Sequence, residues 1–398
     1  MRILWMQSIC PTPATDGNRQ RHLGLLRCLA DRHEITLVCP VNPRQGDDPS
    51  ALEELGVDVR AHPSRDPGGR IRACVRRRPS CMVPGGLHDM VRAVRPGERF
   101  DVAFGGLGVA PALNATGLPF VLDDQNVERD AYRRLFLIEP PSVRKLARAC
   151  DWVEVGAFER RWLRRASHVT CCSERDQRIL QRIARRVPVT VVENGVDPDL
   201  VSFDPGPGTD GLVVFVGSLD YAPNADAARL LVEQVMPALH RQRPGVRLQI
   251  VGKDPPADLL AAQSENVEVT GKVVDVGPYL RSAAVTVMPL RSGGGTRLKV
   301  LEAMAAGTPI VATKIAIEGL DLVDRREVRV GRPSDLAGMA AELMANADIR
   351  AAQARAARAT VEARYAWGGI ARRLEAVLEG ASGITSHGGG VSRRALRR

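Results

Sequence analysis

No stretch of this 398-residue chain approaches the ~18 uninterrupted apolar positions that a membrane span requires; runs such as Leu212–Val216 and Val285–Met288 are strand-sized. A bilayer-crossing helix is therefore not expected. The eight cysteines (Cys10, Cys28, Cys39, Cys74, Cys81, Cys150, Cys171 and Cys172) contain no CxxC pair, and no histidine clusters with them at metal-ligand spacing. They read as buried free thiols. Because no long apolar leader follows Met1 either, the expected compartment is the cytoplasm, with a peripheral place at the inner membrane face left open. Aromatics make up only 4% of the chain. The basic segment has few of them to serve as stacking platforms and no zinc-finger, RNP or basic-zipper pattern, which argues against nucleic acid.

What is present is ordinary globular material, 44% hydrophobic and 26% charged, and this excludes collagen, coiled coil and wholesale disorder. The length suffices for two domains, each burying its own core. The net charge of +10 is local: residues 129–186 carry 15 basic side chains against seven acids, whereas 187–210 carry no base and five acids. Such a patch suits a phosphorylated substrate or an anionic membrane face. It suits a solvated helix surface equally.

In the first half, the runs Ile3–Met6, Ile35–Cys39, Val57–Arg60, Asp101–Phe104, Phe120–Leu122, Val169–Cys172 and Val189–Val192 alternate with longer helical patterns such as Gln20–Asp31. This is a βαβ rhythm and predicts a parallel sheet between helices. Residues 62–85 and Pro140-Pro141 read as loops. A connector rich in Pro, Gly and Asp, ending in Asp204-Pro205-Gly206-Pro207-Gly208, precedes a second series: Leu212–Val216, helix Asn224–Leu239, Leu248–Val251, Val267–Val269, Val285–Met288, helix Leu298–Ala306, Ile310–Ala312 and Val328–Val330. The expected organisation is an α/β chain of two Rossmann-like, doubly wound domains facing across a cleft, residues 1–195 and 212–365, with a linker at 196–211 and a disordered tail at 381–398. Ligands of such sheets bind beyond the carboxyl ends of the strands.

The most informative segment is Pro289-Leu290-Arg291-Ser292-Gly293-Gly294-Gly295-Thr296-Arg297-Leu298-Lys299-Val300-Leu301-Glu302. It follows a strand, and Gly293, Gly294 and Gly295 let the backbone approach a ligand before a helix begins. A helix N-terminus with free N–H groups, flanked by Arg297 and Lys299, is a pocket for phosphate. Lys299 and Glu302 lie three apart and share a helix face, so a base for phosphate and an acid for a sugar hydroxyl would point the same way. A Gly-rich loop with a surface ion pair fits the spacing as well.

That run, together with Val192-Glu193-Asn194-Gly195-Val196-Asp197, with Val216-Gly217-Ser218-Leu219-Asp220-Tyr221-Ala222-Pro223-Asn224, and with Thr308-Pro309-Ile310-Val311-Ala312-Thr313, resembles the family 4 glycosyltransferases of the GT-B fold over roughly residues 1–380. The resemblance implies transfer of a sugar from a nucleotide-diphosphate-sugar donor to the hydroxyl of a glycan, lipid-linked or small-molecule acceptor, with retention and with no metal or cofactor. Glu302 matches the second carboxylate of the family's E-x7-E motif, which holds the ribose; the first falls on Gly294. The Arg and Lys that often follow the GS-like loop are absent, which leaves Arg297 and Lys299 to hold the diphosphate. Gly217 and Ser218 open the helix near Asn224, an N-cap candidate. Gly17 and Asn18 match the first glycine loop, or else form a turn and helix cap. Asp123-Asp124-Gln125-Asn126-Val127-Glu128 stands where relatives read D-x-H-N-x-E, with Gln125 in place of the histidine. Asp124 and Glu128 would orient the acceptor or cap a helix. The stripe Trp152, Val155, Phe158, Glu159 and Trp162 is core or an acceptor-facing surface. The resemblance also implies that a last helix, 366–380, crosses back onto the first domain. A nucleotide-sugar epimerase of the same fold and a degenerate binding or scaffold protein are the alternatives.

Overall fold

The computed structural model describes residues 1–63, 86–199, 201–206 and 208–383. Among these, the apolar runs form two wholly parallel sheets. The first has the order β3-β2-β1-β4-β5-β6-β7, with β1 Arg2–Met6, β2 Glu34–Val41, β3 Asp58–Pro63, β4 Val102–Gly106, β5 Phe120–Asp124, β6 His168–Cys171 and β7 Val189–Val191. The second has the order β10-β9-β8-β11-β12-β13, with β8 Thr209–Val216, β9 Arg247–Val251, β10 Val267–Gly271, β11 Ala283–Met288, β12 Ile310–Ala312 and β13 Arg329–Val330. Helices cover both faces, so the central strands carry continuous apolar runs: Ile3, Leu4, Trp5 and Met6 are all fully buried.

Each strand expected from the sequence overlaps an observed one. The departures have local causes. Helix α1, Gly17–Leu29, starts three residues earlier than its apolar pattern, because the Asp16 carboxylate caps it by accepting from the backbone N–H groups of Asn18 and Arg19. The segment expected as helix Asn224–Leu239 begins at Ala222 and is interrupted by a π turn, Leu231–Val235. Strand β8 begins at Thr209, inside the stretch read as a linker. His62 and Pro63 of the expected loop belong to β3; positions 64–85 of that loop, and 384–398 of the expected tail, lie outside the described residues. Ala381 and Ser382 are still helical.

Helices α2, Glu128–Ile138, and α3, Val143–Leu163, pack side by side after β5. On α3, Val155, Phe158, Glu159 and Trp162 are buried, which makes that part of the stripe core, while Trp152 is half-buried and stacks on Phe136 of α2. Not all cysteines are buried: Cys150 is exposed and Cys28 half-buried, while Cys10, Cys39, Cys171 and Cys172 are buried as free thiols. Their mixed positions follow the helix faces, since α3 turns Cys150 to solvent. Cys74 and Cys81 lie outside the described residues.

The chain ends by returning to its start. Val196 bridges to Ala366, and the last helix, Trp367–Ser382, lies on α1, where the Trp367 indole covers Gly24. Glu375 on this helix accepts from Arg32 at 2.5 Å and pairs with the His33 ring at 2.7 Å. A methyl group at position 24 would collide with the indole. Gly24→Ala is therefore expected to destabilise the protein by about 1–3 kcal/mol, the usual range for overpacking. A lowered urea midpoint at unchanged slope would show it.

Candidate functional site

The carboxyl ends of β1, β4 and β5 form one wall of the site. Strand β5 ends in Asp123-Asp124, both buried. Arg21, on α1 and with none of its side chain exposed, grips Asp123 bidentately through Nε at 2.9 Å and Nη2 at 2.8 Å. Its Nη1 donates to the Glu193 carbonyl at 2.8 Å and to Asn194 Oδ1 at 3.0 Å. Burial opposes ionisation of Asp123, but Arg21 and the Thr170 hydroxyl hold its carboxyl below the usual range. Gln125, the residue in the histidine's place, donates to His22 Nε2 at 3.0 Å and to Asp123 at 3.2 Å. A histidine thus lies beside this motif after all, contributed by α1. Burial pushes the His22 ring down to about 4, so at neutral pH its Nε2 is free to accept.

Gln7, Ser8, Asn18, Gly106, Asp124, Asn126 and Glu128 line a pocket of about 290 Å³. Burial and the nearby Glu159 and Glu128 raise the Asp124 carboxyl well above its ordinary range. Burial pushes Glu128 up to about 7 and Glu159 up to about 8. Glu159, from α3, is what caps α2: its Oε1 accepts from the backbone N–H groups of Glu128 at 2.7 Å and Arg129 at 3.4 Å. Asp124 and Glu128 are not the caps. That leaves both on the pocket wall.

The facing wall comes from the second sheet. Strand β11 runs into the glycine loop, where Gly293 and Gly295 take φ of +121° and +67°, values that side-chain-bearing residues rarely adopt. Helix α4, Ala222–Leu230, and helix α5, Leu298–Ala306, stand behind it. Arg297 is the N-cap of α5, is buried, and turns Nη1 back onto the carbonyls of Gly294 and Gly295, while its Nη2 has no partner. Burial lowers its guanidinium below the usual range. Lys299 Nζ donates to Asn224 Oδ1 at 2.6 Å and lies 5.0 Å from the centre of the Phe215 ring. A Cβ at Gly217 would sit 2.6 Å from that nitrogen, so Gly217 is what admits the ammonium to this corner. Burial and the Arg297 charge lower Lys299 to about 7.

Asn224 is not an N-cap. Tyr221 occupies that position, and Asn224, one turn in, donates to the Ser218 carbonyl at 2.8 Å. Lys299 and Glu302 feel each other's charge but hold different partners. Lys299 stays within its own lobe, while Glu302 Oε1 accepts from Gln20 of α1 at 2.9 Å. Burial raises the Glu302 carboxyl.

Several contacts join the walls. Asn194 Nδ2 donates to Thr296 Oγ1 at 2.7 Å, and Arg134 donates to the Gly293 carbonyl at 3.2 Å and to Glu318 at 3.0 Å. A Cβ at Gly17 would meet Leu298 at 3.2 Å, and one at Gly294 would meet Asn126 at 3.5 Å. Gly17 is thus both the first residue of α1 and the point where α1 approaches α5. The site is a narrow slot with an acidic wall on one side and two cations beyond a glycine loop on the other.

Two family models match the chain, Glycosyltransferase Family 4 over residues 21–200 and Glycosyl transferases group 1 over residues 210–346. The chain belongs to these glycosyltransferases. Glycogen synthase of Mycobacterium tuberculosis is 30% identical over 247 residues, covering 56% of this chain and 58% of the relative. Phosphatidyl-myo-inositol mannosyltransferase of Mycolicibacterium smegmatis is 31% identical over 206 residues, covering 48% and 52%. The chain thus spans between half and two thirds of the length of these relatives. Among solved structures, sucrose-phosphate synthase of Thermosynechococcus elongatus superposes with a TM-score of 0.72 at 16% identity, covering 97% of this chain and 100% of the other. The Anabaena protein Alr3699/HepE in complex with UDP-glucose superposes with a TM-score of 0.68 at 16% identity, covering 96% and 100%. The fold is GT-B.

Gln20, Arg21, His22, Asn126, Glu159 and Asn194 were not among the site residues read from the sequence. Asn126 lay inside a quoted motif, but nothing in the order of residues shows that it would touch Gly294 and Gly295. Lys299 gives a prediction of sign. An unfolded lysine titrates near 10.4 and the folded one at about 7, so between these values the unfolded chain binds a proton that the folded one does not. The lysine's cost is complete below pH 7 and fades as pH rises toward 10. Lys299→Met should therefore stabilise the unliganded protein more at pH 6 than at pH 10. Urea titrations at the two pH values measure this, and equal shifts would contradict it.

Proposed function

We propose that this glycosyltransferase moves a sugar from a nucleotide-diphosphate donor to an acceptor hydroxyl with retention, the donor lying on the second sheet and the acceptor on residues 1–195. The observation that carries this reading is Lys299 and Arg297, two desolvated cations with the unpartnered Arg297 Nη2, set beside a glycine loop at the start of a buried helix. Such an arrangement is unfavourable while empty, and an anion relieves it.

Gly293 to Thr296 offer backbone N–H groups, Gly217 and Ser218 line the corner where Lys299 lies, and Glu302 takes the ribose hydroxyls by exchanging Gln20 for them. The C1–O bond to the diphosphate breaks while the acceptor oxygen bonds to C1 on the same face. The acceptor proton passes to the departing phosphate oxygen, so no protein base is required. Arg297, Lys299 and the loop N–H groups stabilise charge growing on that oxygen, and each such donor typically contributes about 3 kcal/mol. Asp124 and Glu128, on the opposite wall, orient the acceptor hydroxyl. For an acceptor carried on a lipid, α3 presents Val143, Leu146 and Val153 to solvent among Arg144, Lys145 and Arg148, a surface suited to peripheral contact with an anionic membrane. Among the described residues no helix is long and apolar enough to cross one.

Thermal melts with UDP, GDP and ADP test donor binding. At one hundred times its dissociation constant, the matching nucleotide adds about 2.7 kcal/mol of stability, and Glu302→Ala should shrink that shift, because the ribose hydroxyls then meet no carboxylate. With the matching nucleotide-sugar, nucleotide should be released only when acceptor is present. Arg297→Ala should slow that release about a hundredfold or more. Wild-type rates in both variants would refute the site.

A further inference from the structure

The pocket on the first lobe says which acceptors fit. Its described lining contains Asp123, Asp124, Glu128, Gln7, Gln125, Asn18, Asn126, Ser8 and Tyr132, and neither a lysine nor an arginine. Behind it, Arg21 is consumed by Asp123, Asn194 and the Glu193 carbonyl. Arg134, on the same helix as Glu128, is held by Asp130, Glu318 and the Gly293 carbonyl.

Three buried polar atoms of lining residues have no partner: Gln7 Nε2, Asn18 Oδ1 and Asp124 Oδ2. Gln7 and Asp124 are each only 2% exposed. A polar atom buried without a partner costs on the order of 1–3 kcal/mol, more when it is charged, so this wall is built to be completed. Two of the three atoms accept, and Glu128 adds further acceptor oxygens. A ligand that satisfies them must donate. A phosphate dianion or a carboxylate cannot, and its charge would enter a wall whose described lining has no lysine or arginine to offset it.

Resting on the glycosyltransferase reading, we infer that the acceptor ring seated here is an amino sugar or aminocyclitol. Its hydroxyls meet Gln7 and Asn18, and its ammonium lies against Asp124 and Glu128, while phosphorylated and uronic acceptors are rejected. The ammonium supplies the positive charge that the three neighbouring carboxyls Asp124, Glu128 and Glu159 lack. In doing so it draws Asp124 and Glu128 toward the ionised form.

Calorimetric titration of the full chain with glucosamine, glucose and glucose 6-phosphate tests this. It is run with and without the nucleoside diphosphate that gives a thermal shift, since the pocket belongs to the first lobe and is present either way. Glucosamine should bind at least tenfold more tightly than glucose, and glucose 6-phosphate should give no binding heat. Asp124→Asn should remove the tenfold advantage of glucosamine over glucose. Glu128→Gln provides the same reading if the first variant melts early. Equal affinities for glucosamine and glucose, or any measurable binding of glucose 6-phosphate, would overturn the inference. Failure of all three nucleotides to bind would instead overturn the proposed function and leave this result to be read from the sugars alone.

Discussion

A guanidinium sealed beneath the first sheet's carboxyl edge governs the geometry of the site. Arg21 spends Nε and Nη2 on Asp123 and Nη1 on the connector at Glu193 and Asn194. A charge taken wholly out of water is tolerated only when its donors are matched in this way, and removing one partner of such a pair costs about 3–5 kcal/mol. Each bond also locates something. Asp123 fixes the end of β5 and therefore the direction of Asp124. Asn194, held through its oxygen by Arg21, is left with its amide to give to Thr296 across the cleft. One side chain thus sets the acidic wall and, through a single intermediary, the register of the glycine loop facing it.

The second organising feature is the separation of charge across the slot. Carboxyls crowd the first lobe and are pushed toward protonation, while Lys299 and Arg297 occupy the second and are pushed toward losing their protons. Desolvation is the leading cause on both sides. Asp124 and Glu128 do not pair with these two cations, which bond instead to Asn224 and to loop carbonyls. Keeping like charges together, underhydrated and unpaired, costs stability, and proteins carry such costs where a ligand will supply the missing charge.

Most of the architecture was legible in the sequence, because the thirteen parallel strands among the described residues write themselves as short apolar runs separated by helical patterns. What was misplaced was decided by single atoms: Asp16 started α1 early by capping it, and Tyr221 rather than Asn224 opened α4. The glycine loop, Lys299 and Glu302 could be found because glycine spacing and helix periodicity are local properties. The partners of those residues could not. Gln20 and Glu302 are separated by 282 positions, and Asn194 and Thr296 by 102, and no periodicity encodes a hydrogen bond between side chains of different lobes. His22 illustrates the point. It lies 103 positions before Gln125, yet the packing of α1 sets it against that residue, in the motif where the sequence itself has no histidine.

The cross-lobe bonds also constrain how a donor would enter. Of the contacts between the walls, Asn194 holds Thr296, and Arg134 holds Glu318 and the Gly293 carbonyl. Only the Gln20 bond occupies the carboxylate proposed to hold the ribose. A hydrogen bond to a charged group is worth about 1.5–3 kcal/mol net, and ribose hydroxyls return bonds of the same kind, so that exchange is close to neutral. The driving force for donor binding must then come from elsewhere in the slot. The anion meeting Lys299 and Arg297 is the one step that converts an unfavourable arrangement into a paired one, and Glu302 contributes chiefly to which ligand is chosen and how it is oriented.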